Sequence, residues 1–257
     1  MQPGLDEKNA PGSSARTLSY EGASTIGTNI MPEAAKLFAA QTGVRFSQIG
    51  NAGADAGYRA AEERRVNFGG VARELTAEEK AKVGGTVVIG HDAMGVFVHG
   101  KNPVKALTRA QLKEIFAGRA TNWNAFGGPD KAIRVYSEKL TGGRATVKAF
   151  KDMVLGSDKY GAVKERDDAT DCIQDVAADE TGITASSMSF AMAGVKALAV
   201  DGAAPTTAAV QDGSYPLKRT LILVTKDPPA GEVKAFLDFM LTEEAQAIVA
   251  KKFVAAK

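Results

Sequence analysis

Four short stretches of this sequence place small, hydroxyl or guanidinium residues where a strand gives way to a helix. They are Gly22-Ala23-Ser24-Thr25, Gly50-Asn51-Ala52-Gly53, Ala72-Arg73 and Thr141-Gly142-Gly143-Arg144. A helix start presents unpaired N–H groups and the positive end of the helix dipole, a combination that suits an anion. Ser24, Thr25, Asn51 and Thr141 add side-chain donors. Arg73 and Arg144 add forks that hold an oxyanion through two parallel hydrogen bonds. Gly142 and Gly143 cost helix stability where they stand, and a residue without a side chain lets a ligand approach the backbone. Each stretch also has a plainer reading. Ser24 and Thr25 serve as ordinary caps, and Thr141–Gly143 as a flexible turn. Arg144 then makes a surface ion pair, Arg73 a solvated pair with Glu74, and Asn67 a turn cap.

Other chemistry is poorly supplied. The two histidines, His91 and His99, are too few to hold a metal. Asp92 beside His91 has no nucleophile motif to serve. The single cysteine, Cys172, excludes an internal disulfide. It reads as a small buried apolar residue, with a thiol ligand for a soft species such as arsenite as the alternative. Trp123 in "TNWN" reads as an anchor for its loop.

The 257 residues are 44% hydrophobic, enough core for one large domain or two medium ones. Basic residues number 32 against 30 acidic ones, interspersed, so no field points to nucleic acid. No run approaches the ~20 apolar residues of a membrane span. Residues 1–16 have no apolar run and read as a disordered or extended tail at a mature N-terminus. A removed export signal and a cytoplasmic origin leave the same picture.

Period-2 and period-3.6 patterns alternate along the chain. Strands are predicted at 17–20, 44–49, 66–72, 87–100, 133–137, 182–186, 198–200 and 220–225. Helices are predicted at 28–42, after the 50–57 stretch and on to 65, and at 76–83, 108–117, 141–155, 170–178, 232–241 and 242–252. Thr76 with Glu79 and Thr108 with Gln111 have the spacing of capping boxes. The alternation predicts an α/β fold with mixed, mostly parallel sheets flanked by helices. In open α/β sheets ligands bind beyond the carboxyl ends of the strands, where the four junctions lie.

The stretch "GVFVHGKNPVKALTRAQLKEIFAGRATNWNAFGGPDKAIRVYSEK" carries a more specific signal. It resembles the phosphate-binding proteins of bacterial ABC importers, a branch of the type II periplasmic binding proteins. That family shows a similar succession of apolar strand, N-P-V, L-x-x-I-F-x-G, T-N-W and G-G-x-D. "DGSYPLKRTLILVTK" and "FLDFMLTEEAQAIVAKKF" extend the similarity, which runs from about Leu18 to the end. The resemblance implies two lobes joined by two hinge strands, with residues 17–92 and 215–257 in the first lobe and 93–214 in the second. It implies a monomer, outside the cytoplasm, that captures phosphate or a similar oxyanion between the lobes and needs no cofactor. It names an ABC permease or a membrane sensor as partner.

By the same resemblance the ligand contacts fall on Ala23, Ser24, Thr25, Asn51, Asn67, Arg73, Ser137, Thr141, Gly142, Gly143 and Arg144. Ala23, Asn67, Ser137 and Gly143 depart from the family's Ser, Asp, Arg and Thr. A carboxylate repels an anion that brings no proton, so Asn67 in place of Asp implies a lost filter against sulfate. Ser137 in place of Arg implies a lost clamp, and missing donors predict weaker binding. Two functions follow: a solute-binding protein of an importer, or a sensory protein with an altered site. A hydrolase of phosphate esters lacks both metal cluster and nucleophile.

Overall fold

The computed structural model describes residues 17–256, so the expected N-terminal tail lies outside the described residues. In chain order the first half contains β1 (Thr17–Gly22), α1 (Ser24–Asn29), α2 (Met31–Thr42), β2 (Arg45–Ile49), α3 (Ala54–Glu62), β3 (Phe68–Val71), α4 (Ala77–Ala81), β4 (Gly85–His99), β5 (Ala106–Leu107) and α5 (Arg109–Phe116). The second half contains β6 (Arg134–Glu138), α6 (Ala145–Phe150), β7 (Lys164–Arg166), α7 (Ala169–Ala178), β8 (Gly182–Ser187), β9 (Val195–Ala197), β10 (Ala199–Val200), α8 (Thr207–Gln211), β11 (Lys218–Thr225), α9 (Gly231–Phe239), α10 (Glu243–Ala250) and β12 (Val254–Ala255).

The main sheet runs β2-β1-β3-β11-β4-β8-β6-β7, with β9 and β12 also paired to β4. In it, β1 pairs in parallel with β2 and β3, and β6 with β7 and β8. Every antiparallel pair involves β4 or β11, the two long strands that pass between the halves. The buried apolar side chains form two main clusters. One gathers Leu18–Ile89 with Leu221–Phe253, including the touching rings of Phe38, Phe46, Phe68 and Phe236. The other lies mainly within Ala93–Leu217 and includes Trp123, Phe116 and Phe150. Trp123 is fully buried, and its indole N–H donates to the Thr181 carbonyl at 3.0 Å, which ties the 121–133 loop to β8 as an anchor.

Several boundaries differ from the sequence pattern for physical reasons. The first helix begins at Ser24, not Thr28, and breaks at Ile30 (φ −117°, ψ −54°). Pro32, in the first turn of α2, has no N–H to carry the hydrogen-bond ladder through. The helix expected from Thr141 begins at Ala145, because Gly142 and Gly143 hold φ +89° and +71°. It then continues as a π-helical turn over Lys151–Leu155. Both capping boxes form, with Thr76 and Thr108 accepting from Glu79 and Gln111.

Candidate functional site

The polypeptide leaves β1 into α1, β2 into α3 and β6 into α6, and these three junctions converge. The Gly53 amide donates to the Gly22 carbonyl at 3.0 Å, joining the first two. The third meets the second across the two halves. A Cβ on Gly53 would lie 3.4 Å from the Gly143 carbonyl, and one on Gly143 would lie 3.2 Å from the Asp55 Oδ2. Gly53, at φ +106°, and Gly143 thus leave room for a close approach of two backbones.

The three helix starts share a chemical feature. No side chain caps α1, α3 or α6. The same is true of α2 and α9, whereas α4, α5, α7, α8 and α10 are each capped by a Thr or Asp side chain. First-turn N–H groups without an intrahelical partner therefore gather at one place, with their dipoles' positive ends.

Between them lies Arg219, on β11, only 2% exposed. Its Nη2 donates to the Thr25 hydroxyl on α1 at 3.0 Å, and its Nη1 to the Thr146 hydroxyl on α6 at 3.3 Å. Its Nε donates to Asp92 Oδ2 at 2.9 Å, and the other Asp92 oxygen accepts from the Ser187 hydroxyl at 2.8 Å. Asp92 is 1% exposed; burial pushes its carboxyl up from the ordinary range, against the pull of Arg219 and Ser187. A cavity of about 130 Å³ opens beside Arg219, lined also by Arg73, Glu74, Asp152 and Lys218.

The expected site residues divide into two sets. Ala23, Ser24, Thr25, Asn51, Thr141, Gly142, Gly143 and Arg144 all lie in the converging junctions. Thr25 is buried and in the Arg219 network, while Thr141 and Gly142 are exposed. Arg144 donates to the Asp167 carbonyl at 2.8 Å. Asn51 is exposed, and its Oδ1 lies over Gly27 of α1. The Glu21 carboxylate accepts from the Gly22 and Ala52 amides at 3.1 and 2.7 Å, so two loop donors are already paired internally.

Three residues are placed differently from the expectation. Asn67 precedes β3, at the strand end away from the junctions. Its Oδ1 accepts from the Ser19 amide and hydroxyl at 2.8 and 3.1 Å, fastening β1 to β3. It lines a separate cavity of about 390 Å³ with Arg64, Arg65 and Thr225. Arg73 lies in a bend before α4 and not at a helix start. It is 5% exposed and bonded to Asp55 (2.8 Å), Glu79 (2.7 Å) and the Glu74 carbonyl (3.0 Å). These two carboxylates hold its pKa above the usual value, although burial opposes them. Ser137 is buried, and its hydroxyl donates to the Glu138 carbonyl at 2.9 Å.

Arg219, Thr146 and Glu138 were missed by the sequence reading, which noted Asp92 only as a neighbour of His91. Arg219 looks like the polar flank of an apolar strand, and its partners Asp92 and Thr25 are 127 and 194 residues away. The one available signal was Asp92 inside an otherwise apolar run, a charge that must find a partner once buried. Cys172 is 1% exposed and its thiol is pushed up to about 12 by burial, in keeping with a structural role. No group of three or more His, Cys, Asp or Glu side chains among the described residues could hold a metal ion. No helix among them is long and apolar enough to cross a membrane.

Comparison with known proteins gives this geometry a setting. The chain is 29% identical over 237 residues to the phosphate-binding protein PstS of Staphylococcus saprophyticus, spanning 86% of this chain and 73% of that one. It is 28% identical over 206 residues to PstS of Bacillus subtilis, spanning 77% and 67%. A solved structure described as a phosphate ABC transporter substrate-binding protein from Clostridium perfringens, with bound phosphate, superposes with a TM-score of 0.84. It is 32% identical, covering 94% of this chain and 100% of that one. An ABC-type phosphate transport receptor from Vibrio cholerae shares the fold at a TM-score of 0.82 and 22% identity, covering 92% and 99%. The family model of the PBP superfamily domain matches residues 8–244, and the chain accordingly belongs to that superfamily, among its PstS-like solute-binding proteins and not among enzymes.

Proposed function

We propose that this chain captures a small oxyanion, phosphate or a phosphate-like one, at the meeting point of α1, α3 and α6, and delivers it to an ABC importer. Residues 17–92 with 215–257 form one lobe and 93–214 the other, hinged on β4 and β11. The protein works outside the cytoplasm as a monomer. The carrying observation is Arg219, a buried guanidinium that reaches one hydroxyl on each lobe beside uncapped helix starts. Ser24, Thr25, Gly142, Gly143, Arg144 and Thr146 complete the receptor around it, and Arg219 supplies the cation that Ser137 does not. Entry of an anion replaces the Thr25 and Thr146 hydroxyls as acceptors and frees them to donate. Lobe closure follows from contacts made to both sides at once.

Thermal unfolding with phosphate, sulfate, arsenate, a phosphonate and molybdate tests this. A cognate anion at about 100 times its Kd stabilises by about 2.7 kcal/mol. A melting curve that none of these moves would overturn the reading.

A second reading is supported by the internal pairing of Arg73 with Asp55 and Glu79, and of Glu21 with two loop amides. These carboxylates compete with an anion, as in a sensory relative that signals to a membrane receptor without transporting. Capture of a histidine-kinase ectodomain, in place of a permease, from envelope fractions would distinguish it.

A further inference from the structure

Glu138 closes β6 at the edge of the same junction and is 9% exposed. Among the described residues no cation lies within ion-pair distance of its carboxyl. The groups around it come from four elements and the loop that carries Tyr160. Arg219 on β11 and Arg144 at the start of α6 favour its charged form, as does the Thr146 hydroxyl. Asp168, which caps α7, disfavours it. Tyr160 and Cys172 face it as neutral groups, each pushed up partly by the Glu138 charge. Arg166, its Cα partner on β7, is turned away to Asp175 and over the Tyr136 ring. Burial outweighs the favourable charges and raises the Glu138 carboxyl from its ordinary value.

The charges at the centre sharpen the consequence. Arg219 is matched by Asp92, so an ionised Glu138 leaves the buried trio net negative. An oxyanion entering there meets like charge and also takes up the Arg219 field that favours ionised Glu138. Protonation of Glu138 removes the repulsion and turns an acceptor into a donor. By linkage, whatever the anion does to the proton affinity of Glu138, the proton does equally to the anion affinity.

We propose that Glu138 takes up a proton whenever the cleft takes up its anion, and so admits fully deprotonated oxyanions such as sulfate alongside those that bring their own proton. This depends on the cleft being an anion site. The test is calorimetric titration of the full chain with sulfate, which carries no titratable proton from about pH 5 to about pH 8, in buffers of different ionisation enthalpy. The expected result is uptake of about one proton per sulfate in the upper part of that range, with affinity falling by up to about ten-fold per pH unit there. Glu138→Gln removes both the proton uptake and the pH dependence. Proton uptake that persists in a folded Glu138→Gln assigns the proton to the other buried carboxyl, Asp92, and overturns the proposal, while the absence of uptake by the unaltered chain is decisive even if that variant folds poorly. Sulfate bound with no proton uptake overturns the proposal and leaves the anion site standing. Phosphate bound to the exclusion of sulfate also overturns it, since Glu138 would then be a charged acceptor. If neither anion binds, this proposal falls, and the anion reading is then decided by arsenate, the phosphonate and molybdate.

Discussion

Arg219 and Asp92 stand directly opposite one another on β11 and β4, the two strands that cross between the halves of the molecule. Their side chains meet at 2.9 Å, and both are 1% exposed. The pair therefore sits on the strands that link the two buried clusters, and the Arg219 amino groups also reach Thr25 on α1 and Thr146 on α6. Because a buried charge without its partner is so costly, the pair ties the fold and the candidate site to the same residues.

Replacing Arg219 with Met leaves Asp92 buried and unpaired. The expected cost is about 3–5 kcal/mol, measured by urea unfolding, together with loss of any anion-induced rise in melting temperature. The double variant R219M/D92N recovers much of the stability and none of the anion response. A single variant as stable as the parent would refute the placement of this pair.

Asn67 separates the family resemblance from the geometry. If it were a filter in the cleft, Asn67→Asp would shift the preference between phosphate and sulfate. At the far end of β3 it is expected to leave that ratio unchanged. Asn67→Ala removes the acceptor for the Ser19 donors and costs about 1–2 kcal/mol. Competition binding with both anions, alongside an unfolding curve, checks the pair of expectations.

Gly143 is tested by alanine. At φ +71°, with its added Cβ 3.2 Å from Asp55, G143A is expected to lose about 1–2 kcal/mol to backbone strain. It also pushes the α3 and α6 junctions apart, so anion affinity falls with stability. Asp55→Ala in the same background relieves the contact but not the strain, and it also takes one carboxylate from buried Arg73. Recovery of affinity with no recovery of stability is the expected signature.

Cys172 is expected to resist thiol reagents in the native protein, because it is buried and its thiol titrates well above neutrality. Reaction with a chromogenic disulfide should proceed at the rate of unfolding and become immediate in denaturant. Prompt reaction in buffer would reopen a ligand role for the thiol.

The pH response of stability follows from the Arg73 cluster. The Arg73 side chain, through its hydrogen bonds, holds the Glu79 carboxyl below its ordinary value. A carboxyl depressed in the folded state contributes stability that is complete above its unfolded pKa and is lost as pH falls through the folded one. Melting temperature should thus fall on acidification below about pH 4–5. Glu79→Gln should flatten that part of the profile and also weaken the Thr76 cap, whose amide donates to Glu79.

Much of the architecture was written locally. Thr76 with Glu79 and Thr108 with Gln111 announced their helices, because a capping box needs only residues three apart. Gly142 and Gly143 marked the junction before α6, although the periodic pattern drew the helix through them from Thr141 and only their positive φ moved its start to Ala145. Apolar runs gave most of the strands, and the small residues after β1, β2 and β6 marked places where N–H groups stay free. What local pattern could not supply was which distant residues would share a buried volume. Arg73 and Arg219 are both arginines beside strands, and nothing in their neighbours says that one is consumed by Asp55 and Glu79 while the other faces both lobes. Asn67 aligned with a family position yet folded to the opposite strand end, since a match in type does not fix a direction in space. The sequence by itself determined the elements and the kind of chemistry, because capping, periodicity and backbone freedom act over a few residues. The tertiary structure alone decided which charge is central, because that depends on which carboxylates lie near it after chain segments 127 or more residues apart have been brought together.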